Sequence, residues 1–212
     1  LEFRRVLFRS ACCAAYEFER LGVPCTIREL PIECVSTDAD GNHVAWGTYE
    51  SPTERAIVGV DVQTGEATRV DVGMHGQSHI TITAGFDGNI YVYTGNPSHF
   101  LRYDVNAHTL EDLGCPAEPA SYFGKGFRGP DGRFFVGSFP GTHLVSVDTN
   151  TGDIRHHGKI AEDPRQKYIW YRPAVSDPGI VYCPVGLHHQ ELWAYNPETG
   201  TKRQILPEGL MD

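Results

Sequence analysis

Residues 78–113 read SHITITAGFDGNIYVYTGNPSHFLRYDVNAHTLEDL, and this stretch decides the fold. Ile90-Tyr91-Val92-Tyr93 is β-branched and aromatic, the composition of a strand. Asp87-Gly88 punctuates it on one side, because Gly tolerates positive φ and Asp accepts local backbone hydrogen bonds. A loop then leads to a third strand that closes at Asp104. The same phrase returns three more times. Its first turns are Asp40-Gly41, Asp87-Gly88, Asp131-Gly132 and Asp177 to Gly179 around an inserted Pro178, with the Asp residues spaced 47, 44 and 46 apart. Its third strands end at Asp61, Asp104, Asp148 and Asn196, spaced 43, 44 and 48 apart. Two independent markers agree on a period near 45, the signature of tandem units.

Each marker has a local cause. The Asp-Gly pairs suit two-residue hairpins, which ask for positive φ in the turn. Four residues beyond each third strand stand Gly65, Gly152 and Gly200, with His108 in the second unit. Histidine is among the non-glycine residues enriched at positive φ, so His108 is expected to adopt it. Repeats of ~45 residues built from three or four short strands indicate an all-β fold of propeller blades. Blades are placed at residues 34–76, 77–116, 117–161 and 162–207, with 208–212 as a tail. Residues 11–33 read as a remnant of an earlier blade or a linker; Ala11 to Arg20, followed by Gly22 and Pro24, also fits a helix with its stop signal. The expectation is about four visible blades of a truncated ring of six to eight, monomeric when full length.

Composition agrees. The 212 residues include 23 Gly and 14 Pro, about a sixth of the chain against roughly an eighth ordinarily, so turns are frequent and long helices scarce. Hydrophobic residues at 40% suffice for a core. A net charge of −9 argues against a nucleic-acid partner, and no apolar run approaches the ~18 residues of a membrane span. Residues 1–10, LEFRRVLFRS, match at every position the translation of a common sequencing adapter. On that reading the natural segment is 11–212, its charge is −11, from 15 Lys+Arg and 26 Asp+Glu, and localisation stays open because the natural start is cut away. Six cysteines at 12, 13, 25, 34, 115 and 183 show no Cys-x-x-Cys pair, so no disulfide framework or zinc spacing is read from them.

Ser78-His79-Ile80-Thr81 and Asp87-Gly88-Asn89-Ile90 resemble the repeat of the streptogramin (virginiamycin B) lyases and related NHL or YVTN-type propellers. That resemblance implies a β-propeller and, by analogy, lyase-like chemistry at a funnel. The second strand here is Tyr91-Val92-Tyr93-Thr94, where those repeats usually read Trp-Phe-Thr-Glu.

Strand alternation puts the Asp-Gly and Thr-Gly turns on one face and the second-to-third loops and blade links on the other. That other face gathers His75, Gln77 and His79, then Tyr122 and Lys125, then Tyr168, Trp170, Tyr171 and Arg172. Tyr168, Trp170 and Arg172 alternate, as they would on one strand face able to stack a planar ligand such as a sugar. Counting five back from each third-strand end gives His99, His143 and Glu191, expected to form part of a ring around the mouth. Imidazole with carboxylate suits proton transfer or a divalent metal. His79 and His143 are the candidate catalytic residues; His75, His99, Tyr122, Lys125, Tyr168, Trp170, Arg172 and Glu191 are the candidate ligand contacts. Lys125, Arg128 and Arg172 suggest an anionic substrate. His156-His157 and His188-His189, adjacent in sequence, are expected to diverge within strands, and no HExxH occurs. Two function classes follow: a propeller binding a small molecule or carbohydrate, and a non-catalytic scaffold presenting its loops to a protein partner.

Overall fold

The computed structural model describes residues 30–51, 54–73, 80–95, 98–115, 122–169 and 172–210. Among them the chain forms four antiparallel sheets in sequence order. The first holds β1 (Ile32–Thr37), β2 (His43–Glu50), β3 (Arg55–Asp61) and β4 (Ala67–Asp71). The second holds β5 (Ile80–Ala84), β6 (Ile90–Thr94), β7 (Phe100–Asp104) and β8 (Thr109–Gly114). In the third, β9 (Tyr122–Phe123) and β10 (Phe127–Arg128) both pair with β11 (Arg133–Phe139), followed by β12 (His143–Asp148) and β13 (Ile154–Lys159). In the fourth, β14 (Tyr168–Ile169) and β15 (Ala174–Val175) both pair with β16 (Val181–Gly186), followed by β17 (Glu191–Tyr195) and β18 (Lys202–Gln204). The first strands of neighbouring sheets touch one another, β1 on β5 and β10 on β15, so they form the inner edge. Among the described residues no helix is long and apolar enough to cross a membrane. The adapter-like segment 1–10, the helix-or-strand question at 11–29, and Cys12, Cys13, Cys25, His75, Gln77, His79, Trp170 and Tyr171 lie outside the described residues.

The core is three wedges, one between each neighbouring pair of sheets, because the middle strands are buried on both faces. Along β6, Ile90 and Val92 face Trp46, Ile57 and Leu101, while Tyr91 and Tyr93 face Phe100, Phe123 and Phe134. Along β11, Phe134 and Val136 join that second wedge and Phe135 turns to Ile169, Val181 and Trp193 in the third. Period-2 alternation thus assigns each side chain to one wedge or the other. The second wedge is aromatic: Tyr91–Phe134, Tyr93–Phe100 and Phe100–Phe123 have centroids 5.1, 5.3 and 4.7 Å apart, tilted or edge-on as ring quadrupoles favour.

The turns follow the sequence with one correction. Gly65, His108, Gly152 and Gly200 all take positive φ, at 75, 55, 79 and 71°. Gly41, Gly88, Gly132 and Gly179 do too, at 82–85°. The two-residue Asp-Gly hairpin is not what forms. Thr37 pairs with His43 and Ala84 with Ile90, leaving five-residue loops. Gly41 N–H closes on the Asp38 carbonyl at 3.1 Å, with Asp38 Oδ1 accepting from the N–H groups of Asp40 and Asn42. Positive φ falls on the glycine alone. A type I turn with Gly at its fourth position needs nothing more, whereas a two-residue turn of the I′ type would force Asp into that region as well.

Candidate functional site

The inner edge is where the sheets stop being regular. In β1 the register shifts between Ile32 and Cys34, so Glu33 is the extra residue of a bulge. In the third sheet the inner strand breaks between Phe123 and Phe127, and Lys125 sits in the break. In the fourth it breaks between Ile169 and Ala174, and Arg172 sits there. Both breaks lie opposite the middle of the second strand, at Val136-Gly137 and at Cys183-Pro184. Proline at 173 and 184 removes two ladder donors at the fourth-sheet break. The continuous face expected for Tyr168, Trp170 and Arg172 is therefore interrupted, since β14 ends at Ile169. Bulges and breaks re-aim side chains out of the pleat.

What they aim at is a cavity of about 440 Å³ along the inner edge. Glu33, Cys34 and Val35 line it from β1, Thr83 from β5, Gly126, Phe127 and Arg128 from the third sheet, and Arg172 from the fourth. Lys125 Nζ stands 3.5 Å from Glu33 Oε2, and Thr48 Oγ1 donates to Glu33 Oε1 at 3.1 Å. The Arg128 guanidinium lies over the Phe86 ring at 5.1 Å. Burial, helped by the Glu33 carboxylate, pushes the Cys34 thiol up to about 12. It is neutral at physiological pH and is no nucleophile there. Tyr93 is 1% exposed, and its hydroxyl finds no hydrogen-bond partner among the described residues. The glycine at 126 is required by the close approach: a Cβ there would stand 2.3 Å from that hydroxyl.

The other predicted residues lie elsewhere. His99 and His143 occupy equivalent positions, but each is held by the outermost strand of its own sheet. His99 Nδ1 is 3.0 Å from both Asp112 oxygens. His143 Nδ1 is 2.7 Å from His156 Nε2, with the two rings stacked. Burial, then the neighbouring His156 and Lys159 charges, lower the His143 pKa below the usual imidazole range, so the ring is neutral at pH 7. Glu191 is buried, and its carboxylate accepts from Gln166 Nε2 at 3.0 Å and from the Trp193 indole. The Tyr168 ring stands edge-on to Phe139. For Tyr122 the structure gives its place in β9. His156 and His157 do diverge in β13: one meets His143, the other Ser146 and Tyr195. His188 and His189 do not. They lie in the loop between β16 and β17, ring to ring at 5.1 Å, because positive φ at Leu187 ends the extended run. Sequence reasoning named the three cations but missed Glu33 and Cys34, whose part in the cavity depends on contacts between sheets. The further cleft of about 320 Å³, on the turn face, is lined by Asp38 and Asp61, both engaged in turn hydrogen bonds.

No protein-family model matches the chain. No curated protein matches it in sequence. Among solved structures, streptogramin B lyase is similar at a TM-score of 0.60 and 12% identity, over 87% of this chain and 57% of that one. TolB from Acinetobacter baumannii is similar at 0.55 and 17%, over 84% and 44%. The extracellular domain of the one-component system BT4673 from B. thetaiotaomicron is similar at 0.58 and 15%, over 89% and 24%. The chain thus spans between about a quarter and under three fifths of these structures' lengths. At such identities the likeness speaks to fold, and the chain is a β-propeller that resembles streptogramin lyase.

Proposed function

We propose that this chain binds a small anionic molecule, a sugar acid or similar hydroxylated carboxylate, in the inner-edge cavity. The observation that carries the reading is the meeting of Arg128, Arg172 and the Glu33–Lys125 pair around one concavity, in a chain of net charge −9. Three cations against one carboxylate leave a local positive excess that the acidic surround would otherwise dilute. Arginine guanidinium groups grip carboxylates through paired N–H donors. Thr83 supplies a neutral polar contact in the same wall. Cavities with few convergent polar groups on a largely formed scaffold are the usual form of small-molecule sites.

The test is calorimetric titration of the purified chain with inorganic phosphate, citrate, galacturonate and, as the neutral counterpart, galactose. Saturable binding by an acid and none by galactose is expected. Arg128→Ala and Arg172→Ala should each weaken it about tenfold, ~1.4 kcal/mol. Binding that survives the double substitution unchanged, or no saturable binding by any acid, overturns the reading.

A further inference from the structure

The loop between β16 and β17 meets the link between the third and fourth sheets at a second cluster. One oxygen of Asp163 and one nitrogen from each ring of His188 and His189 lie within 4.8 Å of one another. None of these three lines the inner-edge cavity. We infer that Asp163, His188 and His189 form a binding site for a divalent transition metal.

The cluster is built from beneath. Gln166, 2% exposed, reaches both segments: its Nε2 donates to the His189 carbonyl at 2.8 Å and to Glu191 at 3.0 Å, and its Oε1 accepts from His188 N–H at 3.3 Å. Its own N–H closes on the Asp163 carbonyl at 3.1 Å. One buried amide thus fixes the Asp163 turn against the histidine loop. Glu191, 8% exposed, lies 2.8 Å from His189 Nε2. The carboxylate beside Nε2 favours the proton there and leaves Nδ1 as the ring's lone-pair donor, the carboxylate–histidine support typical of metal ligands. Leu187, which leads into the loop, holds φ at 96°, where a bulky side chain is held only by its surroundings.

Two imidazoles and one carboxylate suit zinc, nickel or cobalt rather than calcium or magnesium, which take oxygen ligands. Three protein ligands leave at least one coordination position for water or a ligand oxygen. Arg165 engages both Asp163 oxygens, Nε at 3.0 and 3.1 Å and Nη2 at 2.7 Å, but its side chain is 66% exposed and sits two residues away, so a dication can displace it into solvent.

The probe is the metal alone. The full chain, stripped with chelator and dialysed, is titrated with Zn²⁺ by calorimetry and with Co²⁺ by visible absorption. The expected result is one saturable site, with the intense visible bands of low-coordinate Co²⁺. At a hundredfold excess over Kd the melting temperature should rise by about 5–10 °C. His188→Ala and Asp163→Asn should each weaken Zn²⁺ at least tenfold, while His43→Ala, at the start of β2 in the first sheet, leaves it unchanged. Asp163→Asn keeps the shape of the turn, so it answers the question if His188→Ala misfolds. No saturable binding, or binding that persists in the folded Asp163→Asn variant, overturns the site.

Discussion

Asp61, Asp104, Asp148 and Asn196 each accept backbone N–H groups from residues two or three further on. Glu33, Lys125 and Arg172 each stand where an inner strand leaves its ladder. The first set recurs because its partners are a few residues away and every sheet must close the same turn. The second set does not recur: one sheet uses a bulge, two use breaks, and β5 in the second sheet runs unbroken from Ile80 to Ala84. Repetition therefore marks scaffold, and departure from repetition marks the wall that a ligand can meet. Substitutions on the two sides should separate accordingly, the scaffold ones moving stability and the inner-edge ones moving binding.

The sharpest way to break that division is through the wedge behind the cavity. Phe134 is fully buried, with Tyr91 and Tyr93 at 5.1 and 5.7 Å. Phe134→Ala leaves a void that stiff aromatic neighbours cannot fill, and a loss of about 3–5 kcal/mol is expected from urea unfolding. If the loss is below about 1 kcal/mol, the wedge is not the source of stability, and the scaffold side of the comparison fails.

The next effect is a pH dependence on the same side. His157 is half-buried, with Nε2 2.8 Å from Ser146 Oγ and Nδ1 3.1 Å from Tyr195 Oη. Burial, then Arg155 and Arg133, lower its pKa from 6.5 to about 4. The unfolded chain thus takes up this proton at a higher pH than the folded one. Stability is complete above about pH 6.5, falls as pH drops toward 4, and levels off below. After allowance for the part of the ring that solvent screens, the loss is about 2 kcal/mol. Urea midpoints at pH 7, 5.5 and 4 measure it, and His157→Gln should flatten the difference. An unchanged slope in that variant would assign the dependence to other groups.

Legibility in the sequence follows the same line. His108 at positive φ was readable because Gly65, Gly152 and Gly200 fill the equivalent position. The wedge residues of β6 and β11 were readable as strands from their alternation. Asp-Gly suits both a two-residue hairpin and the five-residue turn that forms, and only the φ of the aspartate distinguishes them. At the site, Lys125, Arg128 and Arg172 were visible as cations, but Glu33 and Cys34 come from a sheet about ninety residues earlier. No local pattern encodes that meeting. The loop that carries His188 and His189 is legible, but the meeting of their rings is not, because nothing in a Leu-His-His run predicts positive φ at the leucine.

The smallest effect is expected at two polar groups buried in the second strands of the first two sheets. The Trp46 indole N–H donates to Ser36 Oγ at 2.8 Å and is fully used. The Tyr93 hydroxyl, equally buried, has no hydrogen-bond partner among the described residues. Burying an unpaired hydroxyl costs roughly 1–3 kcal/mol, so its removal should not destabilise. Tyr93→Phe keeps the ring against Phe100 and Phe134 and is expected to unfold within about 0.5 kcal/mol of the parent, or slightly later. A stability loss above about 1 kcal/mol would mean that the hydroxyl is already paired within the fold, and Tyr93 would belong to the scaffold with Trp46.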